Sequence, residues 1–197
     1  MKKYFVFFTV ITVTLIFSSC AKAPQAEMDA AKAALEQAKV AQADIFLETE
    51  FVAIQDSVNK AATEIQSQKS KVFGNYKGAK QTLENVNTQA ADLVEKTEVR
   101  KQEVKNEVVA TQAEIVSLME ENNKMVEIAP KGKEGKEALA AIKSDLTSIN
   151  ASASEIQALL ESNELIAAQT KANAVKQKAS GINAELKTVL EKYMRKA

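Results

Sequence analysis

Residues 139–160 read LAAIKSDLTSINASASEIQALL, and residues 165–193 read LIAAQTKANAVKQKASGINAELKTVLEKY. In the first stretch, Leu139, Ile142, Leu146, Ile149, Ala153, Ile156 and Leu160 recur at alternating steps of three and four. In the second, Leu165, Ala168, Ala172, Val175, Ala179, Ile182, Leu186, Val189 and Tyr193 do the same. Such steps average close to one helical turn, so these side chains form a single apolar stripe along one helix face. A stripe of this kind leaves water only against another helix. Phe51, Ile54, Val58, Ala61 and Ile65 repeat the pattern upstream, as do Tyr76, Ala79, Leu83, Val86, Ala90 and Leu93. No segment alternates with the period of two that a half-buried strand requires. The fold class is therefore all-α, an elongated antiparallel helical bundle with coiled-coil seams.

Working outward, the helix breakers are few. Pro24 precedes the first helical pattern, Phe73-Gly74-Asn75 interrupts the middle, and a loop with Pro130, Gly132 and Gly135 follows. Ser162-Asn163 is a weaker break carrying residue types that favour an N-cap. Gly78 and Gly181 fall inside helical patterns and read as points of close packing or a mild bend. Helices are expected over 25–43, 47–72, 76–127, 136–161 and 164–194. The third would be about 78 Å long at the α-helical rise.

Two faults interrupt the seam. The register of Met28, Ala31, Leu35 and Ala38 does not run into that of Phe51, so the chain is expected to break or kink near 44–49, with Asp44 capping the new helix. The second fault is the polar run 95–103, where Thr97 and Arg100 hold the seam within one continuous helix that changes partners. Beyond it Val104, Val108, Ile115, Leu118 and Met125 resume in a shifted phase. The expected architecture is two three-helix, spectrin-like units sharing one long central helix. They cover 27–95 and 104–197, with a polar neck at 96–103. The alternative is a single long hairpin with the last two helices alongside.

The composition narrows the chemistry. The chain has 197 residues, 26 basic and 26 acidic groups, no histidine, no tryptophan and one cysteine. Without histidine there is no Ser-His or Cys-His nucleophile pair, no imidazole metal ligand and no Glu-x-x-His di-metal site. One cysteine forms no internal disulfide. Balanced charge gives no electrostatic footprint for nucleic acid. No catalytic residue, cofactor or metal site is expected.

The N-terminus supplies an address. Lys2 and Lys3 precede an uncharged apolar run over 4–17, and Ser18-Ser19-Cys20 follows. Basic, apolar and small-residue regions in that order make a secretory leader over 1–19. The apolar run is shorter than a comfortable permanent span. The only cysteine stands directly behind the small residues. Phe17-Ser18-Ser19-Cys20 resembles the lipobox of bacterial lipoproteins, which implies that Cys20 is lipidated and becomes the first residue of the mature chain. Residues 20–26 then form a tether, and the protein sits in the cell envelope at the outer membrane. Removing the leader leaves 178 residues with 24 cations and 26 anions. What remains is rich in alanine and poor in aromatics, as long packed helices are.

Two further stretches carry resemblances. Ala30-Ala31-Lys32-Ala33-Ala34-Leu35-Glu36-Gln37-Ala38 and Asn75-Tyr76-Lys77-Gly78-Ala79-Lys80 resemble a bacterial envelope domain of unknown function found behind lipoprotein signals. There an alanine-rich first helix is followed by a tetratricopeptide-like hairpin. The likeness implies fold and location. Lys192-Tyr193-Met194-Arg195-Lys196-Ala197 is similar to the Tyr-Arg-Lys end of the murein lipoprotein. Met194 intervenes and Ala197 follows the lysine, so the reading here is a basic helix end that complements the helix dipole.

The other constellations read as structure. Glu120-Glu121, Glu48 with Glu50, and Glu134 with Glu137 are solvated helix faces, and Gly132-Lys133-Glu134-Gly135 is a plain loop made basic by its lysines. Phe73 and Tyr76 flank a turn at a hairpin tip and are expected to staple it; the alternative reading makes Phe73, Asn75 and Tyr76 an interaction tip. The expected function is a lipid-anchored, non-catalytic envelope scaffold or interaction module. Its partners are the membrane through Cys20, an unidentified envelope protein and, if a second stripe is exposed, another copy. The alternative is a surface-exposed adhesin or ligand-binding lipoprotein.

Overall fold

The computed structural model describes residues 22–130 and 133–195, and side chains from these except 133–135. The leader and Cys20 lie outside the described residues. Six helices follow in order: α1 Gln25–Val40, α2 Ala43–Phe46, α3 Glu48–Lys69, α4 Lys77–Ile128, α5 Lys133–Glu161 and α6 Leu165–Met194. No strand occurs among the described residues. The protein is an all-α bundle, and α4 alone runs for 52 residues. The chain divides into two compact units, Met1–Glu98 and Val99–Ala197, with the division inside α4.

In the first unit α1, α3 and the N-terminal part of α4 bury the stripes that the spacing marks. Phe51, Ile54, Val58, Ala61 and Ile65 are all buried on α3, facing Ala79, Leu83, Val86, Ala90 and Leu93 of α4 and Met28, Ala31 and Ala38 of α1. The alanines are fully covered, so the backbones approach closely, at the cost of little apolar area per residue. Lys80 Nζ lies 2.9 Å from Glu27 Oε1, which places the first turns of α1 and α4 at one end. That hydrogen bond holds the Glu27 carboxyl below its ordinary pKa and raises Lys80 above its own. The pair therefore stabilises the docked α1 between these limits. It is lost as pH falls through the Glu27 pKa or rises through that of Lys80.

The break between α1 and α3 differs from expectation. It spans 41–47 rather than 44–49, and Asp44 does not cap α3. The chain turns at Gln42, whose φ of 69° is left-handed, and again at Leu47, which has no capping side-chain bond. Asp44 sits instead in the first turn of the four-residue α2. The two-residue offset between the stripes is absorbed by backbone rotation, which no capping side chain announces.

The second unit contains the C-terminal part of α4 with α5 and α6. Helices α4 and α6 run parallel at a constant offset. Gln169 donates to Glu107 at 2.6 Å and Lys176 pairs with Glu114 at 2.5 Å, each 62 positions away, while Asn183 donates to Glu121 at 2.9 Å, again 62 apart. These contacts are seven residues apart along each helix, the heptad step of a coiled coil. Helix α5 runs antiparallel to α6, with Lys178 2.7 Å from Asp145 and Lys171 paired to Glu155.

The α5–α6 turn is a C-cap, not the N-cap expected of Ser162-Asn163. Asn163 has φ 60°, its N–H donates to the Leu160 carbonyl, and the Glu164 N–H donates to that of Leu159. This is the Schellman pattern, in which asparagine tolerates the left-handed position. The α6 seam also ends early: Leu186 is buried, but Val189 and Tyr193 are exposed. With the offset of 62, Tyr193 lies beyond the end of α4 at Ile128.

Polar residues enter the seam where they find partners. Thr97 is buried in the neck, its hydroxyl donating 2.7 Å to the Leu93 carbonyl one turn back. Arg100 reaches Glu107 at 2.9 Å and Glu103 at 3.2 Å along α4. The inner glycines are not close-packing points. At Gly78 an added Cβ would meet only the end of the Glu64 side chain, and at Gly181 it would meet nothing within 4 Å. Gly181→Ala is therefore expected to stabilise the second unit by about 0.5–1 kcal/mol, through the smaller backbone entropy of the unfolded chain. Urea unfolding measures it; an unchanged or lowered midpoint contradicts it.

Candidate functional site at the α3–α4 turn

Helix α3 stops at Lys69, and the chain reverses through Ser70-Lys71-Val72-Phe73-Gly74-Asn75-Tyr76 before α4. The reversal is fixed by backbone and polar contacts. The Lys71 N–H donates to the Gln68 carbonyl at 3.1 Å. A Cβ on Gly74 would lie 2.7 Å from that carbonyl oxygen and 3.2 Å from the Tyr76 ring, so only glycine fits without displacement. The Asn75 N–H donates to Gln68 Oε1 at 3.2 Å, and Asn75 Oδ1 accepts from the Lys77 N–H at 3.0 Å. Asn75 thereby satisfies an otherwise orphaned donor at the start of α4.

The three residues marked by sequence have different surroundings. Asn75 is engaged in holding the turn. Tyr76 is half-buried and packs on the core of the first unit. Phe73 projects into solvent at 93% exposure, and its neighbour Val72 is 89% exposed. Two adjacent apolar side chains this bare are held out by a rigid turn rather than folded onto the core below them.

The tertiary structure adds the start of α1 to this turn. Lys22, Ala23 and Pro24 line one open groove of about 540 Å³ with Gly74, Asn75, Tyr76, Lys77 and Lys80. Lys22, Lys69, Lys71 and Lys77 are exposed at or beside it. No acidic residue occurs from 65 to 83. The acid-free run is readable in the sequence; its meeting with Lys22 is not, because that depends on how α1 packs.

Compared with protein-family models, curated proteins and solved structures, the chain matches none.

Elsewhere the described residues hold no cluster of three or more metal-ligating side chains. A groove of about 660 Å³ in the second unit is lined by apolar Val126, Leu139, Ala140 and Leu146 together with Glu127 and Lys143, an open surface of mixed character. Glu121 is occupied structurally: Lys187 at 3.0 Å and then Asn183 hold its carboxyl below the ordinary pKa. Among the described residues no helix is long and apolar enough to cross a membrane.

Proposed function

We propose that the protein is a bacterial envelope lipoprotein, anchored through lipid on Cys20, whose helical bundle serves as a non-catalytic scaffold or interaction module at the outer membrane. The observation that carries this reading is the position of the single cysteine. It stands directly behind a basic, apolar and small-residue leader, where lipid attachment requires a thiol. One acyl chain binds a membrane marginally, whereas several hold it stably, so a multiply acylated Cys20 is a sufficient anchor without a spanning helix. The chemistry of the chain supports a non-catalytic role. With no histidine, nucleophile activation and neutral-pH proton transfer lack their usual group.

Lipid incorporation and intact mass test the reading in the producing cell. The native chain is expected to take up labelled palmitate and to have a mass matching residues 20–197 plus acyl groups. Cys20→Ala is expected to lose the label entirely and keep the mass of the leader. Equal palmitate labelling in the Cys20→Ala chain contradicts it.

A further inference from the structure

We propose that the α3–α4 turn is a membrane-docking tip. Val72 and Phe73 enter the headgroup boundary of the bilayer that holds the lipid, and Lys22, Lys69, Lys71 and Lys77 bind its anionic phospholipid headgroups. The proposal rests on the anchored reading above and adds an occupant for the exposed turn.

Three observations converge on that occupant. The first is covalent reach. Cys20 is two residues from Lys22, and two residues span at most about 7 Å. Lys22 shares a groove with Gly74, Asn75 and Tyr76. A lipid on Cys20 therefore brings the bilayer surface to this end of the first unit. The second is the exposure of Val72 and Phe73, which water disfavours and which an interface accepts, aromatic rings above all. The third is charge. The tip carries exposed lysines within an acid-free stretch, the complement of an anionic leaflet. Two carboxylates reach this end from outside that stretch: Glu27, which is paired with Lys80, and Glu64, whose side chain ends beside Gly78 and leaves the four lysines in excess. Lysine stems can also lie along the boundary while their ammonium groups reach the phosphates.

The rigidity of the turn matters to the mechanism. Gly74, Gln68 and Asn75 fix the loop before any membrane arrives. Docking then costs little ordering entropy, and a second contact beside the lipid converts a swinging tether into an oriented one. Because the lipid holds the tip close, its effective concentration at the bilayer is high and weak individual contacts suffice.

The absence of tryptophan makes the test direct. Phe73→Trp gives the full mature lipoprotein a sole tryptophan at the tip. Val40→Trp places one at another strongly exposed site, at the far end of α1. Each is reconstituted into vesicles of phosphatidylcholine with phosphatidylglycerol, with spin-labelled lipid as quencher. Phe73→Trp is expected to show blue-shifted emission and strong quenching, and Val40→Trp neither. Adding Lys69→Gln, Lys71→Gln and Lys77→Gln should lower tip occupancy roughly fivefold per lysine at low salt.

An unquenched Phe73→Trp on vesicles that retain the lipoprotein overturns the docking tip and leaves the anchor standing. Partner protein that shields Phe73→Trp from lipid in native membranes overturns it too. Quenching equal in pure phosphatidylcholine overturns the role of the lysines. If the chain carries no lipid, the anchored reading fails separately. The tip is then tested by adding the same vesicles to the unlipidated chain, where absence of quenching overturns it.

Discussion

Asn122→Asp is expected to destabilise the second unit strongly at neutral pH and to spare it in acid. Asn122 is fully buried, and Asn183 is only 7% exposed. The Asn122 amide donates to the Ala179 carbonyl of α6 at 2.9 Å, and Asn183 donates to Asn122 Oδ1 at 2.9 Å. A protonated aspartic acid can still donate to Ala179. An ionised one presents a desolvated negative charge to that carbonyl oxygen. Burial raises the carboxyl pKa of the folded state above the ordinary value of about 3.9. Between those two values the unfolded chain has released its proton and the folded chain has not, so stability falls as pH rises. The loss is capped near 4 kcal/mol at pH 7, because beyond that the group stays protonated.

The native protein has the opposite slope. The Glu121 pKa is lowered by Lys187 and Asn183, so its contribution is present at neutrality and is lost as pH falls through that lowered value. Denaturant unfolding at pH 4 and pH 7 separates the two. Parallel slopes for variant and native chain would show that Asn122 is not desolvated. Replacing both Asn122 and Asn183 by leucine should instead retain stability while loosening the register of α4 on α6, as removal of a buried polar pair does in coiled coils.

Leu83→Ala is expected to cost the first unit about 3–4 kcal/mol. Leu83 is fully buried in α4, within a core where many neighbours are alanines. Alanine has no rotamer with which to move into the void, so the cavity persists and the cost lies towards the upper part of the usual range. Set against a typical domain stability of about 5–15 kcal/mol, this is a large share. Thermal unfolding of this unit by circular dichroism should shift by roughly 12–30 °C. Val72→Ala, at an exposed position of the same unit, should stay within about 0.5 kcal/mol of the native chain. A Leu83→Ala loss below about 1 kcal/mol would mean that the alanine-rich core can collapse around the gap.

Much of the helical architecture was legible because helix geometry ties burial to spacing. Phe51, Ile54, Val58, Ala61 and Ile65 are buried because steps of three and four put them on one face, whichever helix covers that face. The helix ends were legible only in part. Asn163 has the chemistry of either cap, and its left-handed backbone makes it the C-cap of α5. Asp44 has the chemistry of an N-cap, but the left-handed Gln42 turns the chain before it. A capping type records what a side chain can accept, whereas the cap it makes depends on which way the backbone leaves the helix.

The candidate site divides in the same way. Sequence alone determined the acid-free run around the α3–α4 turn and the place of the single cysteine behind an apolar run, since each is a property of neighbouring residues; that Phe73 stands in solvent was decided by the tertiary structure. Tertiary structure alone decided that Lys22 meets Gly74 and Asn75, that Asn75 is spent on holding the turn, and that Asn122 lies in the seam although Glu120, Glu121 and Asn123 beside it are polar. Those outcomes depend on which stripe docks against which, and on the offset of 62 that sets α6 against α4. A heptad stripe looks the same at every turn, so it specifies that helices pack but not the height at which they meet. That height is set by contacts distant in sequence, such as Asn122 with Asn183 and Glu27 with Lys80.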